Sequence, residues 1–236
     1  MTALLRLQQA SCRLGDQWAL REVDLHISHG ERIALVGANG SGKSTLLRLC
    51  HGLIKPHSGV RWVDPAARHA MVFQRPHMLR MPLRAHVALG PWLAGKPWRE
   101  ACALADHALR QVGMAHNARQ WASRLSGGQQ QRAALARAWA MQPHWLLLDE
   151  PTASLDPSAK RDVEHLWAQY LAGPGGSPIS CMFSSHNLGQ VKRLASRVIY
   201  LERGRILADL PVHTFFDSDL SSSHPQADLF LKGELK

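Results

Sequence analysis

The stretch GANGSGKS, Gly37 to Ser44, has the pattern G-x-x-x-x-G-K-S. Glycines let a backbone wrap closely around phosphate, and successive N–H groups then form an anion-binding nest. A helix expected to start near Lys43 adds the positive end of its dipole. Lys43 is placed to reach the β- and γ-phosphates of a nucleotide, and the Ser44 hydroxyl to bind Mg2+. The candidate nucleotide-binding residues are therefore Gly37, Ala38, Asn39, Gly40, Ser41, Gly42, Lys43, Ser44 and Thr45. Further along, WLLLDEP sets two carboxylates side by side where an apolar run ends. Asp149 can hold Mg2+ directly or through water. Glu150, one residue on, can point elsewhere and polarise an attacking water. Two acids suggest hydrolysis rather than nucleotide storage.

A second glycine turn stands between these two, in SRLSGGQQQRAALARA, Ser123 to Ala138. Ser126 can cap a helix that begins near Gln129, and Gly127 and Gly128 leave backbone N–H groups bare. Taken alone, this turn reads as an ordinary helix cap. One bound nucleotide does not need it.

Elements must hold these residues in place. Residues 1–30 alternate weakly and read as antiparallel strands beside a core. RIALVG, Arg32 to Gly37, is a buried strand, and KSTLLRLCHGL after it has helical periodicity, so the phosphate loop sits between strand and helix. HAMVFQ, His69 to Gln74, is a short strand, and the two prolines of RPHMLRMP exclude regular helix. A helical insert is expected from about Leu83 to Asn117, broken by GPWLAGKP. HWLLLDEP and PISCMFSSH are two more buried strands, the second ending at His186, with AGPGGSP before it a surface loop. RVIYLERGRIL reads as a hairpin turning at Arg203 and Gly204, and the tail from about Phe216 is polar and weakly patterned. Strands alternating with helices imply an α/β fold with a mostly parallel sheet, whose ligands sit at the carboxyl ends of the strands. The glycine loop, the Asp149–Glu150 pair and His186 all fall at such ends.

The bulk numbers narrow the classes. The chain has 236 residues, 45% hydrophobic and 19% charged, an ordinary globular mix. No apolar run approaches the roughly 20 residues that span a bilayer. The first residues lack the regions of a signal peptide, which places the chain in the cytoplasm. A formal charge of +10 suggests an anionic partner: nucleotide, nucleic acid or the inner face of a membrane. The basic residues are spread out with no run of five, so specific nucleic-acid binding is not expected. The four cysteines stand far apart without a C-x-x-C, which favours reduced buried thiols over disulfides or a zinc site. The fourteen histidines are scattered.

LSGGQ, Leu125 to Gln129, followed by QQRAALARA, resembles the signature of ATP-binding cassette (ABC) ATPases. The order of parts is similar too: phosphate loop, Gln74, signature, LLLDEP, SLD at Ser154 to Asp156, then His186. The resemblance covers nearly the whole chain. It implies a P-loop NTPase cassette: a single domain over residues 1–236, with a RecA-like sheet, an N-terminal antiparallel β subdomain and an inserted helical subdomain at about 78–140. It also implies ATP and Mg2+ as ligands and a reason for the second turn. Two cassettes pack head to tail, so that Ser126, Gly127, Gly128 and Gln129 serve the partner's ATP while Asp156 links the half-sites. Gln74 then senses Mg2+ and the attacking water, joining Ser44 and Asp149 at the metal. His186 contacts the γ-phosphate, and the catalytic set is Glu150, His186 and Gln74. The family usually stacks adenine on an aromatic residue; here the expected position holds Leu14, with Trp18 four residues later. Either Leu14 makes a plain apolar contact or Trp18 replaces the ring.

The same resemblance implies partners: a second copy of the cassette, a membrane permease and a solute-binding protein. The segment Arg75 to Leu89 would receive the permease's coupling helix, and the chain would lie on the inner face of the membrane. VFQRPHMLR, SSHNLGQVKRLASRVIYLERGRI and LFLKGEL are most similar to tungstate importer ATPases, with phosphate, molybdate and polar amino-acid cassettes close behind. An exporter ATPase and a soluble ABC protein are the other classes.

Overall fold

A computed structural model describes residues 3–153, 155–173 and 178–233. In chain order its strands and helices are β1 (Ala3–Leu14), β2 (Gln17–Ser28), β3 (Arg32–Val36), α1 (Lys43–His51), β4 (Ser58–Val63), β5 (His69–Val72), α2 (Leu83–Leu93), α3 (Trp98–Gln111), α4 (Gly127–Ala140), β6 (Trp145–Asp149), α5 (Pro157–Leu171), β7 (Ser180–Ser184), α6 (Leu188–Leu194), β8 (Arg197–Glu202), β9 (Arg205–Pro211), α7 (Val212–Asp217) and α8 (Pro225–Leu231). The chain divides into two units. The first is Met1–Ala67, Leu147–Glu150 and Ser180–Lys236; the second is Arg68–Leu146 and Pro151–Ile179.

In the first unit, β3 runs parallel to β7 on one side and β8 on the other. Ile33 to Val36 and Cys181 to Ser184 are buried throughout, as a strand covered on both faces requires. Strand order is β6, β7, β3, β8, β9, and β9 is antiparallel to β8. The β8–β9 turn falls at Arg203 and Gly204 as expected, with φ of 48° and 78°. Two successive left-handed residues make the turn whose twist suits a two-residue hairpin. A separate antiparallel sheet, ordered β2-β1-β4, holds the two expected strands within residues 3–28 and adds a strand, β4, that the sequence does not announce. The alternation of β1 is weak because its pairing shifts register between Leu7 and Ala10 and again toward Cys12. The polar, weakly patterned tail carries helices. It folds as α7 and α8, with Phe215 and Leu220 buried and the Phe230 ring 5.3 Å from Tyr200. Single apolar anchors hold it, and anchors that far apart leave no periodic signal.

In the second unit, α2, α3 and α4 pack on one another, and their buried side chains include many small ones, Ala101, Ala105 and Ala108 on α3 and Ala133, Ala134 and Ala136 on α4. The helical insert breaks within GPWLAGKP as expected, but only in its second half: α2 continues through Gly90 and Pro91 to Leu93, and the residues from Ala94 to Pro97 are non-helical. Pro91 lies inside α2 near its end, where its missing N–H leaves one i→i−4 bond unmade and the helix stops two residues later. A side chain at position 90 would come within 2.9 Å of Met141 Sδ, so glycine lets α2 approach the end of α4. Arg84 and Asp106 join α2 to α3 through two hydrogen bonds of 2.7 and 2.8 Å. On α4 and α5, the Trp139 and Tyr170 rings stack at 4.4 Å. Pro174 to Ser177 of the predicted loop AGPGGSP, Ser154 of SLD, and Glu234 and Leu235 of LFLKGEL lie outside the described residues.

Candidate functional site

The phosphate loop joins β3 to α1. Gly37 leaves the strand at φ 144°, where an added Cβ would stand 2.1 Å from the Leu201 carbonyl oxygen, so nothing larger fits. Gly42 caps α1 at φ 110°. Lys43 is buried, and its Nζ donates to the carbonyls of Gly37 at 2.9 Å and Ala38 at 3.0 Å. The ammonium has three donors, so one remains after it has tied the loop to itself. Burial pushes the Lys43 pKa down, and the negative charges of Glu150 and Asp149 partly offset that. The Ser41 hydroxyl is buried without a hydrogen-bond partner. A loop with an unspent hydroxyl, a spare ammonium proton and a helix N-terminus fits an anion.

Asp149 is the last residue of β6 and only 4% exposed. Its Oδ1 accepts from the Ser44 hydroxyl at 2.9 Å and from the Ser184 hydroxyl at 2.8 Å. A hydroxyl and a carboxylate are hard oxygen donors suited to Mg2+. Among the described residues no group of three or more His, Cys, Asp and Glu is gathered to hold a metal. A magnesium ion commonly keeps several water and phosphate ligands, so it does not need such a group.

Glu150 follows at φ 43°, a left-handed conformation rare for a non-glycine residue. Its N–H donates to Ser184 Oγ at 2.9 Å, and its Oε1 lies 2.8 Å from His186 Nε2. His186 comes two residues after the end of β7, which stops at Ser184 rather than running to the histidine. Its neighbours are tied down. Ser185 Oγ donates to Gln190 Oε1 at 2.6 Å and accepts from Asn187 N, and Asn187 caps α6 by accepting from Gln190 N. Carboxylate and imidazole thus face each other from the ends of two strands of the first unit.

Gln74, Ser126 to Gln129 and Asp156 belong to the second unit. Gln74 is exposed in the irregular stretch after β5. Helix α4 begins at Gly127, two residues earlier than Gln129, because a full capping box sets its start: Gln129 N donates to Ser126 Oγ and Ser126 N donates to Gln129 Oε1. Gly127 faces open space. Asp156 caps α5, accepting from the N–H groups of Ser158 at 3.0 Å and Ala159 at 3.1 Å. The Ala159 bond first, then that of Ser158, holds its carboxyl below the usual carboxylate range. A Cβ on Gly128 would touch Ala159 Cβ at 3.4 Å, so the turn at Ser126–Gln129 and the start of α5 lie together. Of the two adenine candidates, Leu14 is half-exposed at 50% and Trp18 is engaged, edge-on to His57 at 5.3 Å and beneath Arg13. Ser184 is the residue that sequence reasoning missed. Its one signal was the doubled serine in FSSH.

The model of the ABC transporter family matches residues 20–153, more than half the chain. The chain belongs to the ABC transporter family. It is 36% identical over 224 residues to the glutamine transport ATP-binding protein GlnQ of Escherichia coli, covering 87% of this chain and 90% of that protein. It is 36% identical over 203 residues to the aliphatic sulfonates import ATP-binding protein SsuB of Mycobacterium avium, covering 84% and 77%. Among solved structures, it is similar to the dimeric post-hydrolysis state of an ATP-binding cassette bound to ADP and Pi, with 26% identity and a TM-score of 0.77 over 89% of this chain and 99% of that one. The fold is that of the ABC ATPase cassette, a P-loop NTPase. The chain is accordingly the ATP-binding subunit of an ABC transporter, from a family of ATPases. These relatives are named for glutamine and aliphatic sulfonates; tungstate, the cargo suggested by sequence segments, is in neither name. Among the described residues no helix is long and apolar enough to cross a membrane.

Proposed function

We propose that this chain hydrolyses ATP as the motor of a solute importer, with Glu150 as the residue that polarises water. The observation that carries this is the convergence of Lys43, Ser44, Asp149, Glu150 and His186 in one unit, at the carboxyl ends of β3, β6 and β7. The loop Gly37 to Thr45 wraps the phosphates, and Lys43 neutralises charge on the outer ones. Ser44, Asp149 and Gln74 would hold magnesium, which would withdraw charge from the phosphates. Glu150 takes a proton from water aligned with the γ-phosphate, and His186 contacts the γ-phosphate. Residues 1–236 form one cassette, with about 78–140 as the helical subdomain that carries Ser126, Gly127, Gly128 and Gln129. These four, with Asp156, act on the ATP of a second copy. The dimeric cassette structure with ADP and Pi supports this reading.

The cassette works on the cytoplasmic face of the membrane with a permease, whose coupling helix meets Arg75 to Leu89, and with a solute-binding protein. The cargo is an oxyanion, tungstate first, on the likeness of the segments quoted above. A second reading, polar amino acids or sulfonates, is favoured by the names of the relatives. ATPase assays of the wild type and Glu150→Gln test the chemistry. Purification from gently solubilised membranes tests the partners: a multi-span protein and a binding protein support import, and ribosomal or DNA-repair proteins overturn it. Titrating that binding protein with tungstate, molybdate, phosphate and glutamine decides the cargo.

A further inference from the structure

We propose that Ser184 is a positioning residue for hydrolysis, which holds Asp149 and Glu150 in their working orientations through a single hydroxyl. The inference rests on the ATPase reading above. Ser184 is the last residue of β7, paired in register with Leu35 of β3, and completely buried. Its hydroxyl has one proton to give and lone pairs to receive. The proton goes to Asp149 Oδ1 at 2.8 Å, and a lone pair takes the Glu150 N–H at 2.9 Å. One oxygen therefore bridges two successive acids at the end of the neighbouring strand.

The need for such a bridge lies in the backbone. Pro151 biases the residue before it toward extended conformations. Glu150 nevertheless sits at φ 43°, and this reversal sends its carboxylate to within 2.8 Å of His186 Nε2 rather than onward along the strand. A strained conformation persists only where its surroundings hold it. The bond from Glu150 N to Ser184 Oγ is a hold of that kind, since it uses the amide of the strained residue itself. The same hydroxyl joins Ser44 on Oδ1 of Asp149 and so fixes the rotation of that carboxyl. Alanine at position 184 removes both bonds while leaving a small side chain in the strand. Glu150 N–H and Asp149 Oδ1 each lose a buried partner, which favours relaxation of the turn. Ser184 touches neither nucleotide nor water in this scheme; it acts through Glu150.

The test has two readouts on the full chain. The first is the amide exchange of Glu150 without nucleotide. Ser184→Ala should speed it about tenfold or more, with amides of β3 unchanged, and Ser184→Thr, which keeps the hydroxyl, should stay protected. The second is steady-state hydrolysis of MgATP. Ser184→Ala should lower kcat by about 10- to 100-fold with KM within about threefold, and should add almost nothing in a Glu150→Gln background. Unchanged Glu150 protection in the alanine variant, equal loss in Thr and Ala, or losses that multiply in the double variant would each overturn the proposal. If the wild type fails to hydrolyse ATP, the functional reading falls, and the exchange measurement still decides whether Ser184 holds the turn.

Discussion

His186 Nε2 stands 2.8 Å from Glu150 Oε1, with the carboxylate side chain 16% exposed and the imidazole 41%. The more buried partner is the residue proposed above as the base. Glu150→Gln keeps the size and most hydrogen bonds of the side chain and removes its basicity. Its turnover should fall by at least about 100-fold while ATP binding persists, leaving an ATP-bound dimer visible by size exclusion. A variant hydrolysing at the normal rate would remove Glu150 from its role.

Gly37 has no room for a side chain, since a Cβ would meet the Leu201 carbonyl at 2.1 Å with φ at 144°. Gly37→Ala should cost about 2–4 kcal/mol of stability, read by urea unfolding, and abolish nucleotide binding as the loop shifts. Gly127→Ala, in open space by contrast, should leave stability within about 0.5 kcal/mol.

His86 is buried on α2, its Nε2 3.4 Å from Arg137 Nη1 and its Nδ1 without a partner. Burial first, then the charges of Arg137 and His77, push its pKa down to about 4 from 6.5. The unfolded chain takes up this proton near pH 6.5 and the folded one only near pH 4. Stability is therefore full above pH 6.5 and falls as the pH drops through that window, by up to about 3 kcal/mol from this residue. Chemical denaturation of wild type and His86→Gln at pH 7 and pH 5 measures it. The variant should lose less stability between the two, and an equal loss would exclude His86 as the source.

Ser126 closes a capping box with Gln129. Ser126→Ala should cost about 1 kcal/mol in thermal stability. Ser126→Asp is more telling, because aspartate caps as well as serine but brings a negative charge. If the turn serves a partner's phosphate, this variant should melt like the wild type and lose at least about tenfold in ATPase rate. Normal turnover would reduce Ser126 to a helix cap.

How much was readable along the chain depends on how far apart the cooperating residues stand. The phosphate loop was readable because strand, turn and helix follow one another within Arg32 to His51, and each signals locally. The Arg203–Gly204 turn was readable for the same reason. The path of α2 through Pro91 was not, since a proline in a last turn and one near a break look alike in text. Neither were α7 and α8, whose anchors, Phe215, Leu220 and Phe230, are spaced without a period.

Residue type and spacing alone determined that this protein carries a phosphate loop, two adjacent acids at a strand end and a capped glycine turn. These are short-range features, set by backbone freedom, helix dipoles and side-chain charge. Tertiary structure alone decided that Ser184, thirty-five residues from Asp149, shares its hydroxyl between the two acids, and that a left-handed Glu150 turns toward His186. Strand order sets β7 beside β6, and a chain written in one dimension does not encode which strands become neighbours until the buried faces have packed.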